Sequence, residues 1–178
     1  MATTEVIFHD KLTSAVKSWT KSSIPNTYAH LWIKASLQST RSSEMDELYC
    51  TFNGSSSGYD FQRLEMVGYS PGWVASRGQG SSSMNVRYIG GTTNNGYDSG
   101  AGFSTFEMWV PGYADTNLEQ IASTQCSINF NTATSGHWWS SMEGWCWNTD
   151  AAIHTFKMEC KTGDFAEHSC LTIYGIND

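Results

Sequence analysis

The chain has 178 residues, enough to bury a core as one ordinary domain without help from metals or disulfides. Charged residues make up only 15% of it and aromatic residues 13%, a balance that excludes coiled coils and acidic disordered tails. The formal net charge of -7 argues against a general nucleic-acid binder. No apolar run approaches the roughly 20 residues of a membrane span. This neutral-polar, aromatic-rich composition is typical of an all-β sandwich or barrel.

Apolar and polar residues alternate with a period of two along most of the chain, which predicts β-strands. The clearest alternation occurs, in chain order, at residues 29–39, 47–52, 106–110, 122–130, 156–160 and 171–173. Weaker strands are predicted at residues 6–9, 16–19, 59–66, 84–89 and 144–147. The total is roughly ten or eleven strands, separated by turn-forming runs of Gly, Pro, Asn and Ser.

Only residues 11–18 and 114–121 are compatible with a helical turn, and neither carries a long apolar stripe. Many short strands at regular spacing predict an antiparallel two-sheet sandwich. No linker or internal repeat divides the chain, so residues 1–178 are predicted to form a single domain.

Two glycine-containing segments resemble catalytic or cofactor motifs without meeting their requirements. Residues 68–72 match the G-x-S-x-G pattern of serine hydrolases. Pro71 follows the serine, however, and has no N–H to donate to an oxyanion. Residues 78–83 begin like a dinucleotide-binding loop but lack the third glycine and a following helix, so a flexible hairpin loop is expected there. We therefore expect no enzymatic activity.

The remaining polar clusters also predict no cofactor and no metal. Glu44, Asp46 and Glu47 are interpreted as solvated charges at the edge of a strand. The five histidines are scattered, and no Cys-x-x-Cys pair accompanies the five cysteines. The first residues have neither the basic nor the apolar region of a signal peptide, so reduced thiols are expected. Cys50 and Cys126 fall within alternating strands and are predicted to be core residues.

A cluster of tryptophans near residue 140 is the most informative feature. Trp138 and Trp139 are adjacent, so in a strand their side chains point to opposite faces, whereas Trp145 and Trp147 share a face. We therefore expect some indole surface outside the core, under a loop, against a subunit or against a ligand such as a sugar ring. A subunit interface is favoured, because the chain has few charges. The candidate interface or ligand residues are Trp73, Tyr97, Trp138, Trp139, Trp145 and Trp147.

Four ordered motifs resemble a family of small virion proteins of tailed bacteriophages, especially cyanophages and other aquatic phages. The first is residues 24–31 (IPNTYAHL), which resembles the family's entry into its first long strand. The second is the pair 52–54 (FNG) and 59–62 (YDFQ), which is similar to its hairpin. The third is residues 109–113 (WVPGY), and the last is the pair 163–166 (GDFA) and 171–176 (LTIYGI) near the end of the chain.

This resemblance implies a jelly-roll module with a structural role and supplies no catalytic residues. Members of this kind decorate capsids or form fibres and tail tips, usually as trimers. The expected function is a capsid decoration or short fibre protein that binds the assembled shell as a homotrimer. Its partners would be the major capsid protein or tail and fibre proteins, and its location the virion after synthesis in the host cytoplasm. The alternative is a receptor-binding tail or fibre tip that docks host glycan through Trp and Tyr.

Overall fold

The computed structural model describes residues 3–67, 72–92, 102–129 and 138–177, and omits the side chains of residues 67 and 129. Twelve β-strands cover most of these ranges, and no helix occurs in them. In chain order they are β1 (Thr3–Lys11), β2 (Ser18–Lys21), β3 (His30–Leu37), β4 (Met45–Phe52), β5 (Tyr59–Val67), β6 (Trp73–Ser81), β7 (Met84–Gly90), β8 (Ser104–Pro111), β9 (Gln120–Asn129), β10 (Trp138–Trp147), β11 (Phe156–Cys160) and β12 (Cys170–Asn177).

The strands form two antiparallel sheets that pack as a sandwich. The large sheet has the order β1-β12-β3-β8-β9-β10-β5-β6, and the small sheet has the order β2-β11-β4-β7. Four strand pairs are nested in sequence: β1 with β12, β2 with β11, β3 with β8, and β4 with β7. This nesting is the double Greek key of a jelly roll, which confirms the predicted fold class.

Two hairpin insertions extend the large sheet beyond the jelly roll. Strands β5 and β6 lie in sequence between β4 and β7, and strands β9 and β10 lie between β8 and β11. They join the sheet next to β8, because β9 pairs with β8 and β10 pairs with β5. The small sheet has no matching extension, and these four added strands are called the shelf.

The core lies between the two sheets and follows the alternation seen in the sequence. In β3, for example, Leu31, Ile33 and Leu37 are fully buried, while the intervening residues are less so. Burying side chains of this size contributes roughly 1.5–3 kcal/mol each. The strongly alternating segments are therefore confirmed as half-buried strands.

Three local predictions are wrong. Residues 11–18 and 114–121 contain no helical turn; they consist of strand ends, bends and turns. Gly78 to Ser81 belong to β6 rather than to a flexible loop, although the turn at residues 82–83 does follow. The sequence did not predict strand β6, because its apolar and polar residues do not alternate. It is an edge strand whose residues are mostly exposed on both faces, so it needs no apolar stripe.

Three of the phage-like motifs meet at one corner of the sandwich. Tyr28 packs against Gly175, where an added Cβ would lie 2.4 Å from the ring. The backbone N–H of Ala29 donates to the carbonyl of Ile176 at 2.9 Å. The Tyr113 hydroxyl donates to the carbonyl of Pro25. These motif residues stabilise the fold, which explains their types without any chemical role.

Candidate functional site

The structure buries three of the tryptophans proposed as interface or ligand residues. Trp139, Trp145 and Trp147 are 3%, 3% and 4% exposed. Trp145 and Trp147 do share a face, as predicted, but that face is the core. Trp147 stacks on Tyr59 with ring centroids 6.2 Å apart, and Trp145 lies 5.0 Å from Phe61. Within this chain these three indoles have no surface to offer a partner.

Trp73 and Trp138 remain as exposed candidates. They are 54% and 40% exposed and lie on the outer face of the large sheet, at the end of the shelf. Leu64 and Met142, which are cross-strand neighbours, add exposed apolar surface nearby. Tyr97 lies outside the described residues.

A row of paired residues that sequence reasoning did not anticipate crosses the outer face of the large sheet. In register order from β12 to β6 it runs Tyr174, Trp32, Trp109, Ser123, Gly144, Gln62 and Arg77. The first three of these seven residues are therefore aromatic, the middle two are small, and the last two are polar. No local sequence signal could reveal this row, because each residue comes from a different strand.

The small residues in the middle of the row form the floor of a trough. A Cβ built on Gly144 would meet no atom of the described residues within 4 Å. A cavity of about 930 Å³ lies over this floor, with Trp109 on one side and Gln62 and Arg77 on the other. A second cavity of about 780 Å³ shares Gly144, Gln62 and Arg77 and continues past Gln125 toward Met142 and Leu64. The two cavities together make one trough along β10.

Three polar side chains in this trough have no partner among the described residues, unlike the polar side chains beside it. Trp32 donates from Nε1 to Glu107 at 2.8 Å, and the Lys34 ammonium lies 3.9 Å from the same carboxylate. By contrast, among the described residues the side chains of Gln62, Arg77 and Gln125 have no hydrogen bond or ion pair. Their amide and guanidinium groups are therefore available to a ligand.

One end of the trough is defined by Asp60 and Cys146. Asp60 accepts hydrogen bonds from the Gly80 N–H at 2.7 Å and the Asn148 amide at 3.1 Å, and the pKa of this carboxyl is lowered, chiefly by the Gly80 bond. Desolvation, followed by the hydrogen bond to Glu119, raises the pKa of the Cys146 thiol to about 11. The thiol is therefore protonated near neutral pH and is a poor nucleophile.

Under the shelf, a buried ion pair replaces apolar packing. Arg63 Nε donates to Glu143 at 2.7 Å, and the two side chains are 4% and 0% exposed. Trp145 Nε1 donates to the other Glu143 oxygen, also at 2.7 Å. Burial raises the pKa of Glu143 above its ordinary value, against the opposing influence of Arg63 and Trp145. Because both oxygens are occupied and none of the side chain is exposed, this carboxylate has a structural role rather than an acid–base role.

The acidic cluster at the start of β4 is not the solvated edge expected from the sequence. Asp46 is completely buried and accepts hydrogen bonds from Ser39 Oγ and the Gly163 N–H, both at 2.8 Å. Glu47 accepts from Lys161 at 2.7 Å, and its pKa is lowered: burial raises it, but hydrogen bonds, led by that of Lys161, outweigh burial. The prediction failed for Asp46 because the loop that covers it, at residues 162–163, lies more than a hundred positions away in sequence.

All five cysteines are unpaired in the structure, and Cys50 and Cys126 are core residues as expected. Burial raises the pKa of Cys126 to about 12. The described part of the chain holds no group of three or more His, Cys, Asp or Glu side chains that could bind a metal ion. It also has no helix of the length and hydropathy needed to cross a membrane.

Comparisons with known proteins add little. No family profile matches the chain, and no curated protein matches it. Two solved structures of scytalido-glutamic peptidase are similar to it, one with a transition state analog inhibitor and one with a peptide-based transition state analog. Their TM-scores are 0.22 and 0.23 at 10% identity. In both cases the match covers 93% of this chain and 66% of the peptidase. Likeness at this level carries no argument about fold or activity.

Proposed function

We propose that this chain is a non-enzymatic structural protein of a tailed-phage virion, a capsid decoration or short fibre protein. The observation that carries the proposal is the joining of the phage-like motifs in one jelly-roll corner, through Tyr28, Gly175 and the Tyr113–Pro25 hydrogen bond. These contacts hold neighbouring parts of the jelly roll together, which explains why a protein with this fold would contain such motifs. The functional groups described above add support, because the buried carboxylate Glu143 is saturated and the Cys146 thiol is protonated.

In this role the protein acts by mass action. A protein that binds the assembled shell but not its dissociated parts stabilises the shell by an amount that grows with its concentration relative to Kd. The contact surface would include the exposed end of the shelf, where Trp73, Trp138, Leu64 and Met142 present apolar side chains. Closed trimer symmetry would bury part of that surface, and the major capsid protein or a tail or fibre protein would cover the rest.

Two experiments test this proposal. Immunogold labelling of phage particles with antibodies to the chain is expected to decorate the virion, on the head for a decoration protein. Sedimentation at micromolar concentration is expected to show a species three times the 19.7 kDa chain mass. Replacing Trp73 and Trp138 together by Ser should weaken that species, whereas the same change at the exposed Leu118 (65% exposed), at the opposite end of β9 from Trp138, should not. Absence of the protein from particles would refute the virion role, and a purely monomeric species would refute the trimer.

A receptor-binding tail or fibre tip is the second candidate function, and the trough on the outer face of the large sheet favours it. The floor and one wall of the trough lie on the inserted hairpins, while β8 of the jelly roll supplies the other wall, and binding sites are commonly grafted onto a fold by such insertions. Labelling confined to the tail, combined with blocked adsorption by the free protein, would favour this candidate over shell stabilisation.

A further inference from the structure

We infer that the trough over Gly144 is a binding site for a neutral oligosaccharide chain. The inference deepens the receptor-binding candidate, because it names the site and the ligand class. It begins with the size of the trough, since about 930 Å³ lies within the range of small-ligand sites. Three strand spacings separate Trp109 from Gln62, which is about 14 Å between backbones. That width accommodates a flat ring and its substituents.

The lining matches the two surfaces of a sugar. Half-buried Trp109 forms the wall on the β8 side and offers an apolar aromatic surface to the C–H groups of a pyranose. Opposite it, Gln62 and Arg77 carry donors and acceptors with no partner among the described residues, and Gln125 adds another amide. Amides and guanidinium groups suit vicinal hydroxyls, which both donate and accept hydrogen bonds.

The backbone at the floor of the trough explains why an oligosaccharide, rather than a peptide in a β-strand conformation, fits the site. Gly144 lacks a side chain, so a ligand can approach the sheet closely along β10. Both neighbours of β10 are already paired along its length, with β9 on one side and β5 on the other. The floor strand β10 therefore has no open edge, so a peptide could not bind over Gly144 by adding a strand to β10.

The charges near the trough favour a neutral ligand. Arg77 is the cation that lines the larger cavity and Asp60 is its anion, and Asp60 lies at the same end as Glu119, the partner of Cys146. A polyanionic sugar would meet one cation together with these carboxylates, and the chain as a whole carries a net charge of -7. A neutral chain meets no such repulsion.

The test uses the purified full chain and four soluble probes: cellohexaose, maltohexaose, mannohexaose and xylohexaose. Binding is measured by isothermal titration and by the change in tryptophan fluorescence. At least one probe is expected to bind. Trp109→Ala and Gly144→Val should each weaken that binding on the order of tenfold or more, since an aromatic wall is lost or the floor is filled. Phe103→Ala is the matched control, an exposed aromatic side chain that lines neither cavity, and should leave Kd within about twofold.

Thermal unfolding of each variant checks that the fold is kept. If Gly144→Val fails to fold, the double variant Gln62→Ala with Arg77→Ala replaces it, because neither side chain has a structural partner in the described part of the chain. Binding of none of the four sugars would overturn the inference, as would unchanged binding by folded trough variants. Tighter binding of a sialic acid hexamer would overturn the assignment to neutral sugars, and binding of a proline-rich peptide alone would assign the trough to protein.

These outcomes are independent of the virion role. A protein that is found on particles but binds no sugar would refute only the trough assignment. A protein that binds sugar through Trp109 but is absent from particles would refute only the proposed virion function.

Discussion

Gly175→Ala is expected to destabilise the fold by about 1–3 kcal/mol, the usual cost of forcing extra volume into a packed site. Gly175 lies in β12, between β1 and β3 of the large sheet. A methyl group there would lie 2.4 Å from two ring atoms of Tyr28 and 2.6 Å from a third. Ordinary contact begins near 3.4 Å, so the ring must retreat by about 1 Å.

The backbone on either side of Tyr28 is anchored, so the ring can retreat only by rotation of its own side chain. Directly after it, the N–H of Ala29 is bonded to the Ile176 carbonyl, and three residues before it Pro25 accepts the Tyr113 hydroxyl. Alanine also restricts the unfolded chain, which returns about 0.4–1 kcal/mol of stability, so the net cost falls at the lower end of the range.

Urea unfolding followed by fluorescence and circular dichroism measures this change. Gly144→Ala is the matched control: it is also a glycine inside a central strand of the same sheet, but its Cβ meets open space in the described structure. It should be neutral or stabilising by up to about 1 kcal/mol. In a Tyr28→Ala background, Gly175→Ala should cost far less, because the clash is gone. Wild-type stability for Gly175→Ala, or an equal cost in both backgrounds, would refute the reasoning.

Three further predictions follow from the same structure. Removal of residues 171–178 should abolish soluble folding, because it takes away fully buried Leu171 and leaves β1 and β3 without the strand between them. Removal of residues 177–178 should cost little stability. A cooperative melt of the chain that lacks residues 171–178, near the wild-type temperature, would contradict this prediction. In Glu47→Gln, the free energy of unfolding measured with urea should fall less steeply than in the wild type as the pH is lowered from about 6 to about 3. The reason is that a carboxyl whose pKa is lowered in the folded state contributes stability above its unfolded pKa and loses it as the pH falls through the folded value. All five thiols should react with a thiol reagent in the unreduced, denatured protein, and a native disulfide found by mass spectrometry would be the contrary result.

The sequence predicted the β-sandwich because the alternation of apolar and polar residues lies within each strand. In β3, β4 and β12 apolar residues recur at every second position along most of the strand, and a strand with one buried face typically shows that pattern. The jelly-roll type came from the resemblance, and the nested pairs confirm it. The edge strand β6 carried no such signal, because neither of its faces is well covered.

The alternation also determined that Trp145 and Trp147 share a face and that Trp138 and Trp139 do not. It could not determine which face is the core, because that depends on what packs above each strand. Tertiary structure decided it: Trp139, Trp145 and Trp147 point inward, and the exposed candidates are Trp138 and Trp73.

The trough could not be predicted from the sequence, for a related reason. Its floor and walls come from β5, β6, β8, β9 and β10, and they adjoin only because two inserted hairpins pair side by side. Period two specifies the face on which a side chain lies, but register between strands specifies its neighbours. In the sequence, Gly144 is therefore indistinguishable from any other glycine in a strand. The structure identifies it as the floor of a site, because the pairing of the strands places Trp109 and Gln62 on either side of it.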